Sequence, residues 1–220
     1  MARRGRKPKG KRIEWTPNLA YAIGLLVTDG CLSNDGRHII FVSSDAEQLR
    51  NIMHALNIEV SVGATSSGYT GTRTPRIQFG NVILYSFLLS IGLMPNKTKI
   101  IREVQIPPKY FWDFLRGHLD GDGTFYSYWD PRWKSSFMFY TTFVSASEKH
   151  ITWLRSLISR KIGVEGHVTR DAKGTTIQLK YAKADSLKLL KKVYYQGDVL
   201  CLRRKRLKIE KALRIIGEQL

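Results

Sequence analysis

The feature that most limits what this chain can become is a repeated apolar segment. "AIGLLVTDG" runs from Ala22 to Gly30 and "LRGHLDGDG" from Leu115 to Gly123, and each has a glycine at its third position, an apolar middle and a closing Asp-Gly. The closing aspartates, Asp29 and Asp122, stand 93 positions apart (122 − 29). That period is too long for a solenoid and suits a duplicated half-domain.

Both segments read as helices. Thr16 or Asn18 can cap the first, Pro17 suits its first turn, and Leu19 to Val27 is apolar nearly all round, which means burial on several sides. Gly24 and Gly117 occupy equivalent places, so two such helices lying side by side can bring their backbones close. A helical glycine without that purpose only costs about 1 kcal/mol relative to alanine. Helices ending at one level would also bring Asp29 and Asp122 together, at helix ends whose dipole disfavours negative charge. Two such carboxylates do not both ionise unaided. A shared proton or an oxygen-ligated divalent cation relieves them.

The remaining chain tests the duplication. After the first motif, "HIIFVSS" reads as a strand, "DAEQLRNIMHALNI" as a helix, "EVSVGAT" and "PRIQFG" as a hairpin, and "NVILYSFLLSIGL" as a helix. After the second, "TFYSYW" and "SSFMFYTTFVSA" read as a hairpin, "SEKHITWLRSLISRKIG" as a helix, "GHVTR" and "TTIQLKYA" as a second hairpin, and "KADSLKLLKKVYYQG" as another helix. The expectation is an α+β chain of two pseudosymmetric αββαββα halves, 13–104 and 105–220, with the motif helices packed at the interface. A disordered basic arm, 1–12, precedes them.

Charge narrows the partner. Lys+Arg number 36 against 18 Asp+Glu, a net +18. Arg3, Arg4, Arg6, Lys7, Lys9, Lys11 and Arg12 contribute +7 before the first acid, leaving +11 (18 − 7) on the body. A surface that neutralises phosphates needs such an excess, so nucleic acid is the expected partner. No run of about 18 uncharged apolar residues is present, and "MARRGRKPKGKR" lacks the apolar core of a secretory signal. The chain therefore reads as soluble and intracellular, without distinguishing cytoplasm from organelle. Cys31 and Cys201 read as reduced, buried thiols, and the five histidines show no metal-ligand spacing, with His118 better suited to a packed or capping role. A basic surface joined to paired carboxylates favours metal-assisted phosphodiester hydrolysis over acid-protease chemistry.

At these residues the chain resembles the LAGLIDADG homing endonucleases, in their single-chain form with two motif copies. The likeness runs from about residue 14 to 220; "LRGHLDGDG" is close to the family pattern and "AIGLLVTDG" looser. It implies a monomeric endonuclease that cuts both strands of a long, asymmetric double-stranded DNA target and leaves short 3′ overhangs. Asp29 and Asp122 are the implied catalytic metal-binding pair, with the main-chain carbonyls of Thr28 and Gly121 as further ligands. The implied cofactor is Mg²⁺, two or three ions, with Mn²⁺ able to substitute and Ca²⁺ binding without cleavage. Asp120 falls at the family's earlier acidic position, which is not the catalytic one, and is expected to be structural. A lysine near each active site, just before the last helix of each half, matches Lys97 and Lys205. A polar residue, commonly glutamine, is expected at the end of each half's second strand, where this chain has Ser44 and Ala146. An intron-encoded origin fits the family. An RNA maturase, or a non-cleaving DNA-binding regulator on the same scaffold, is the rival reading, and the retention of both aspartates speaks for the enzyme.

Antiparallel sheets forming a saddle would lie in the major groove, where base pairs are distinguishable. Alternation places Ile77 and Phe79 inward, leaving Arg76 and Gln78 for DNA; Ile177 and Leu179 likewise leave Thr176, Gln178 and Lys180. Thr124, Tyr126 and Tyr128 share the parity of Asp122 and are further candidates for DNA contact. The aromatics of "YSYWDPRW", beside Arg132, suit stacking on nucleotides or packing in the core or hairpin, and packing is the preferred expectation.

Overall fold

A computed structural model describes residues 13–66, 71–133, 135–195 and 197–220, so the basic arm at 1–12 lies outside the described residues. The first half runs α1 (Pro17–Thr28), β1 (Gly30–Leu32), β2 (His38–Val42), α2 (Ala46–Leu56), β3 (Gly63–Ser66), β4 (Arg73–Gly80) and α3 (Val82–Ser90). The second runs α4 (Phe111–Asp120), β5 (Thr124–Trp129), β6 (Phe137–Ser145), α5 (Glu148–Ile162), β7 (His167–Arg170), β8 (Ile177–Tyr181), α6 (Lys183–Val193) and α7 (Arg203–Ile215).

α1 begins as its residues dictate. The Thr16 hydroxyl accepts the Leu19 N–H at 3.0 Å, and Pro17 follows at the first helical position, where a missing N–H costs nothing. All nine residues from Leu19 to Val27 are buried, because α1 packs along α4 as well as on its own sheet. The glycines explain how closely the two helices meet. A Cβ on Gly24 would overlap the Phe114 carbonyl oxygen and lie 2.6 Å from the His118 nitrogen; one on Gly117 would overlap the Tyr21 carbonyl oxygen. Only hydrogen fits at either place.

Each half closes an antiparallel four-stranded sheet, in the orders β1-β2-β4-β3 and β5-β6-β8-β7. The registers correspond: Phe41 faces Ile77 across β2 and β4, and Phe143 faces Leu179 across β6 and β8. All four side chains are buried beneath the helices. The serine-containing turns that lead from β2 to α2 and from β6 to α5 also match, since Ser43 Oγ accepts the Asp45 N–H at 3.0 Å and Ser145 Oγ the Ser147 N–H at 3.1 Å. These correspondences establish the two-half α+β architecture.

One buried ion pair locks α4 in place. Arg116, 1% exposed, donates to Asp113 at 2.7 Å and to the carbonyls of Val193 and Leu200, each at 2.9 Å. Each of the three guanidinium nitrogens has an acceptor, which helps to make the buried charge tolerable. The contact also ties the second motif helix to the chain between α6 and α7.

Two expectations are corrected. The second half carries an extra helix, α7, beyond the seven-element repeat. Its segment "RRKRLKIEKALRI" is so charged that its buried stripe shrinks to Ile209, Ala212 and Leu213, three residues at helical spacing. Cys31 is exposed rather than buried, because Gly30 and Leu32 take the inward places on β1 and turn it outward; Cys201 is buried as expected. Among the described residues no helix is long and apolar enough to cross a membrane.

Candidate catalytic centre and nucleic-acid interface

The site forms where the two motif helices end. Asp29 is the C-cap of α1, its N–H bonded to the Leu25 carbonyl at 2.9 Å, and Gly121 is the C-cap of α4, its N–H bonded to Gly117 at 3.0 Å. A Cβ on Gly121 would overlap the Thr28 hydroxyl and lie 2.9 Å from Asp29 Oδ2. The bare backbone of Gly121 is therefore what lets the helix ends meet and seats Asp29 beside the Asp122 turn. Burial raises the Asp29 carboxyl from its ordinary 3.8 to about 6, and the charge of Asp122 adds to the rise. Asp122 is raised as well, again by burial, while Lys97 and Lys205 pull it down.

The two carboxylates are supported unequally. Asp29 Oδ2 accepts the Gln48 amide at 3.0 Å and the Thr28 hydroxyl at 3.2 Å, and Gln48 Oε1 accepts the Ser43 hydroxyl at 2.6 Å. Among the described residues Asp122 accepts no hydrogen bond from any side chain. Gln48 is the residue that sequence reasoning missed. The polar partner was expected at Ser44, the end of the second strand, yet it stands one turn into α2. Its local pattern, Asp45-x-x-Gln48, points to a capping box, in which the glutamine would return to the N-cap N–H. Ser43 already takes that N–H, which frees Gln48 for Asp29. The equivalent place in α5, three residues past the N-cap Ser147, holds His150. It turns instead to His118, with ring planes 11° apart and Nε2 atoms 3.2 Å apart. His118 is thus packed, as expected.

Both expected lysines reach the site from positions other than the predicted ones. Lys97 opens a single 3-10 turn (Lys97–Lys99) that follows α3, the last helix of its half, and Lys205 lies inside the first turn of α7. The Lys97 ammonium donates to the carbonyl of Gly30 and, at 3.5 Å, to that of Thr28. The Lys205 ammonium donates to the carbonyls of Leu119 at 2.6 Å, Asp120 at 2.8 Å, Gly121 at 3.2 Å and Gly123 at 2.7 Å. Each cation thus sits at the negative end of a motif helix, the place the macrodipole favours. Burial lowers both: Lys97 downward, and Lys205 to about 8 despite the opposing pull of Asp120.

Asp120 is structural. Its buried Oδ2 accepts the Tyr21 hydroxyl at 2.8 Å and the Leu202 N–H at 2.7 Å, tying the motif helices to the start of α7. Among the described residues no three His, Cys, Asp or Glu side chains converge. A divalent ion would have to rest on the two carboxylates, the carbonyls of Thr28 and Gly121, and oxygens of water or phosphate. That all-oxygen set, with two carboxyls held above their ordinary range chiefly by burial, fits a hard dication. The two carbonyls already accept lysine hydrogen bonds, but a carbonyl has a second lone pair.

The strands carry most of the other predicted residues on their outer faces. Arg76 pairs with Val42 and Gln78 with Ile40, while Phe79 and Ile77 point inward. On the second sheet Thr124, Tyr126 and Tyr128 of β5 share the outer face with Gln178 and Lys180 of β8. Thr176 is the exception: it precedes β8, in a turn where its N–H bonds the Asp171 carboxylate at 2.9 Å. Trp129 packs on Phe137 with ring centroids 5.0 Å apart, whereas Trp133 is 69% exposed. A surface cleft of about 950 Å³ between Lys99–Glu103 and α5 contains neither aspartate.

No family model matches the chain, and no curated protein is similar to it in sequence. Solved structures resemble it in fold. Full-length DUF199/WhiA from Thermatoga maritima superposes with a TM-score of 0.57 at 16% identity, over 93% of this chain and 62% of that one, so the chain spans under two thirds of that protein. The I-LtrWI LAGLIDADG homing endonuclease bound to target DNA gives 0.58 at 10% identity, over 91% and 90%. The homing endonuclease I-WcaI bound to its DNA recognition sequence gives 0.59 at 13%, over 93% and 95%. At these identities the likeness establishes a shared fold.

Proposed function

We propose that this chain is a site-specific endonuclease that hydrolyses phosphodiesters of double-stranded DNA. The observation that carries this reading is the meeting of Asp29 and Asp122 at the ends of two backbone-packed helices, on a strongly basic body. Asp29 and Asp122, with the carbonyls of Thr28 and Gly121, would hold Mg²⁺, two or three ions, with Mn²⁺ a productive substitute and Ca²⁺ a non-productive one. Bound there, the metal supplies charge neutralisation at the phosphate and activation of water. Gln48 and the Thr28 hydroxyl fix the Asp29 carboxylate, and Lys97 and Lys205, which have no ion-pair partner among the described residues, hold positive charge beside the scissile phosphates. The halves, 13–104 and 105–220, each read one part of a long asymmetric target. The chain acts as a monomer inside the cell and leaves short 3′ overhangs.

One observation favours a second reading, DNA binding without cleavage. The carbonyls of Thr28 and Gly121 already face lysine ammonium groups, so two of the four protein ligands are shared with internal cations. Purified protein, Mg²⁺ and a plasmid library of duplex targets distinguish the two. Linearisation at one sequence, abolished by Asp122→Asn with binding retained, supports the enzyme. Sequence-specific binding with no cleavage in Mg²⁺ or Mn²⁺ transfers the assignment to the second reading, and absence of both binding and cleavage removes each.

A further inference from the structure

The outer faces of the two sheets differ in chemistry. The first offers Arg76 and Gln78, side chains able to make paired hydrogen bonds to guanine and adenine. The second offers a ridge of three tyrosines. Tyr126 and Tyr140 are cross-strand partners with ring centroids 5.1 Å apart and planes 17° apart. Tyr128 lies 6.5 Å from Tyr126 and 6.3 Å from Tyr140, within 9° of parallel to each. The Lys180 ammonium stands 5.7 Å from the Tyr126 ring and 5.9 Å from that of Tyr140. Thr124 and Thr142 pair in the same row, and Met138 faces Tyr128. Tyr140 had no place in the sequence reading, because a partner across a hairpin is set by register.

Because the rings lie against one another, their faces are partly taken, and the ridge presents edges, methyl groups and hydroxyls. Such a surface does not suit a stacked, unpaired base, which needs an open ring face. The tyrosines themselves carry no fork-shaped donor for guanine, and the polar neighbours on this face are Gln178 and Lys180 of β8. In the major groove of duplex DNA the one apolar group on a base edge is the C5-methyl of thymine, and apolar side chains read it by contact. The ridge continues from the strand that leaves Asp122, and Lys180 supplies the positive charge that a phosphate-flanked groove requires.

Resting on the proposed reading of duplex DNA, we infer that Tyr126, Tyr128 and Tyr140, with Lys180, form a thymine-methyl reader that gives the second half-site its base preference. Uracil lacks the methyl and the major groove of an RNA helix is too narrow to enter, so duplex DNA is the required occupant.

The test begins with selection of a bound sequence from a random duplex library. Thymines are then replaced by deoxyuridine in each half of the selected site separately. The expected result is a loss of affinity confined to one half, about fourfold for each methyl contacted, the value of one buried CH₂-sized group. The substitutions Tyr126→Ser and Tyr128→Ala should weaken binding to the thymine duplex and erase the thymine-to-uracil difference. That ratio does not move with stability, so a merely destabilised variant keeps it. A selected duplex whose affinity ignores deoxyuridine in both halves overturns this inference and leaves DNA reading intact, as does a difference that survives in both variants. Selection of no duplex, or tighter binding to RNA, overturns the inference and the DNA reading together.

Discussion

Gly117→Ala sets two effects against each other, and the structure decides the sign. In an exposed helix the change would add about 1 kcal/mol of stability. Here the new Cβ would overlap the Tyr21 carbonyl oxygen, lie 2.9 Å from its carbon and 3.1 Å from Gly24 Cα. All three are backbone atoms, so no rotamer change relieves them. Ordinary contact begins at 3.4 Å, and α1 and α4 must part by at least 0.5 Å (3.4 − 2.9), and further to clear the oxygen. Overpacking of a close-packed core costs about 1–3 kcal/mol and sometimes more, and a clash with backbone belongs at the upper end. After the propensity gain the net loss is about 2 kcal/mol, which lowers the melting temperature by roughly 4–8 °C in a chain of this size. Urea and thermal unfolding followed by circular dichroism measure both. Gly24→Ala forces the same separation, so the double variant should cost less than the sum of the singles. A Gly117→Ala protein as stable as the parent, or more stable, refutes the backbone-contact account of the interface. Because Gly121 meets Thr28 and Asp29 at the end of the same helix pair, the proposed DNA cleavage should fall further than stability.

Asp29→Asn should stabilise the chain at pH 7 in chelator. The folded pKa of Asp29 is raised, from 3.8 to about 6, so between those values the native state holds the extra proton and stability falls as pH rises. Full conversion of that rise gives ~3 kcal/mol, and partial exposure reduces the expected gain to about 1–2 kcal/mol. The gain should vanish below about pH 4, and a pH-independent effect would contradict the assigned cause. The paired imidazoles act oppositely. Burial holds His118 down to about 3 and His150 to about 4, while unfolded histidine titrates near 6.5. The unfolded chain therefore takes up protons first, and stability falls as pH drops from about 6.5 toward 4. His118→Leu, which copies Leu25 of the first motif helix, should flatten that acid limb in a denaturant midpoint series; an unchanged slope would assign the acid loss to other groups.

Much of this was legible before any fold was known. Pro17 and Thr16 announce the start of α1, two glycines 93 positions apart announce a helix pair, and two aspartates at the same spacing announce where that pair ends. What stayed hidden was of a different kind. Gln48 reaches Asp29 from 19 positions away, from α2 rather than from the strand end where a polar partner was expected. Lys205 reaches the end of α4 across 82 to 86 positions, from a helix whose charged sequence masked its buried stripe. Periodicity, capping and duplication are local or self-referring properties, so the sequence alone determined most of the elements, though not β1 or α7, together with the two-half plan and the carboxylate pair. Which donors hold each carboxylate, which carbonyls hold each lysine, and which tyrosine completes the ridge depend on distances between elements far apart along the chain. Only packing sets those distances, and only the tertiary structure decided them.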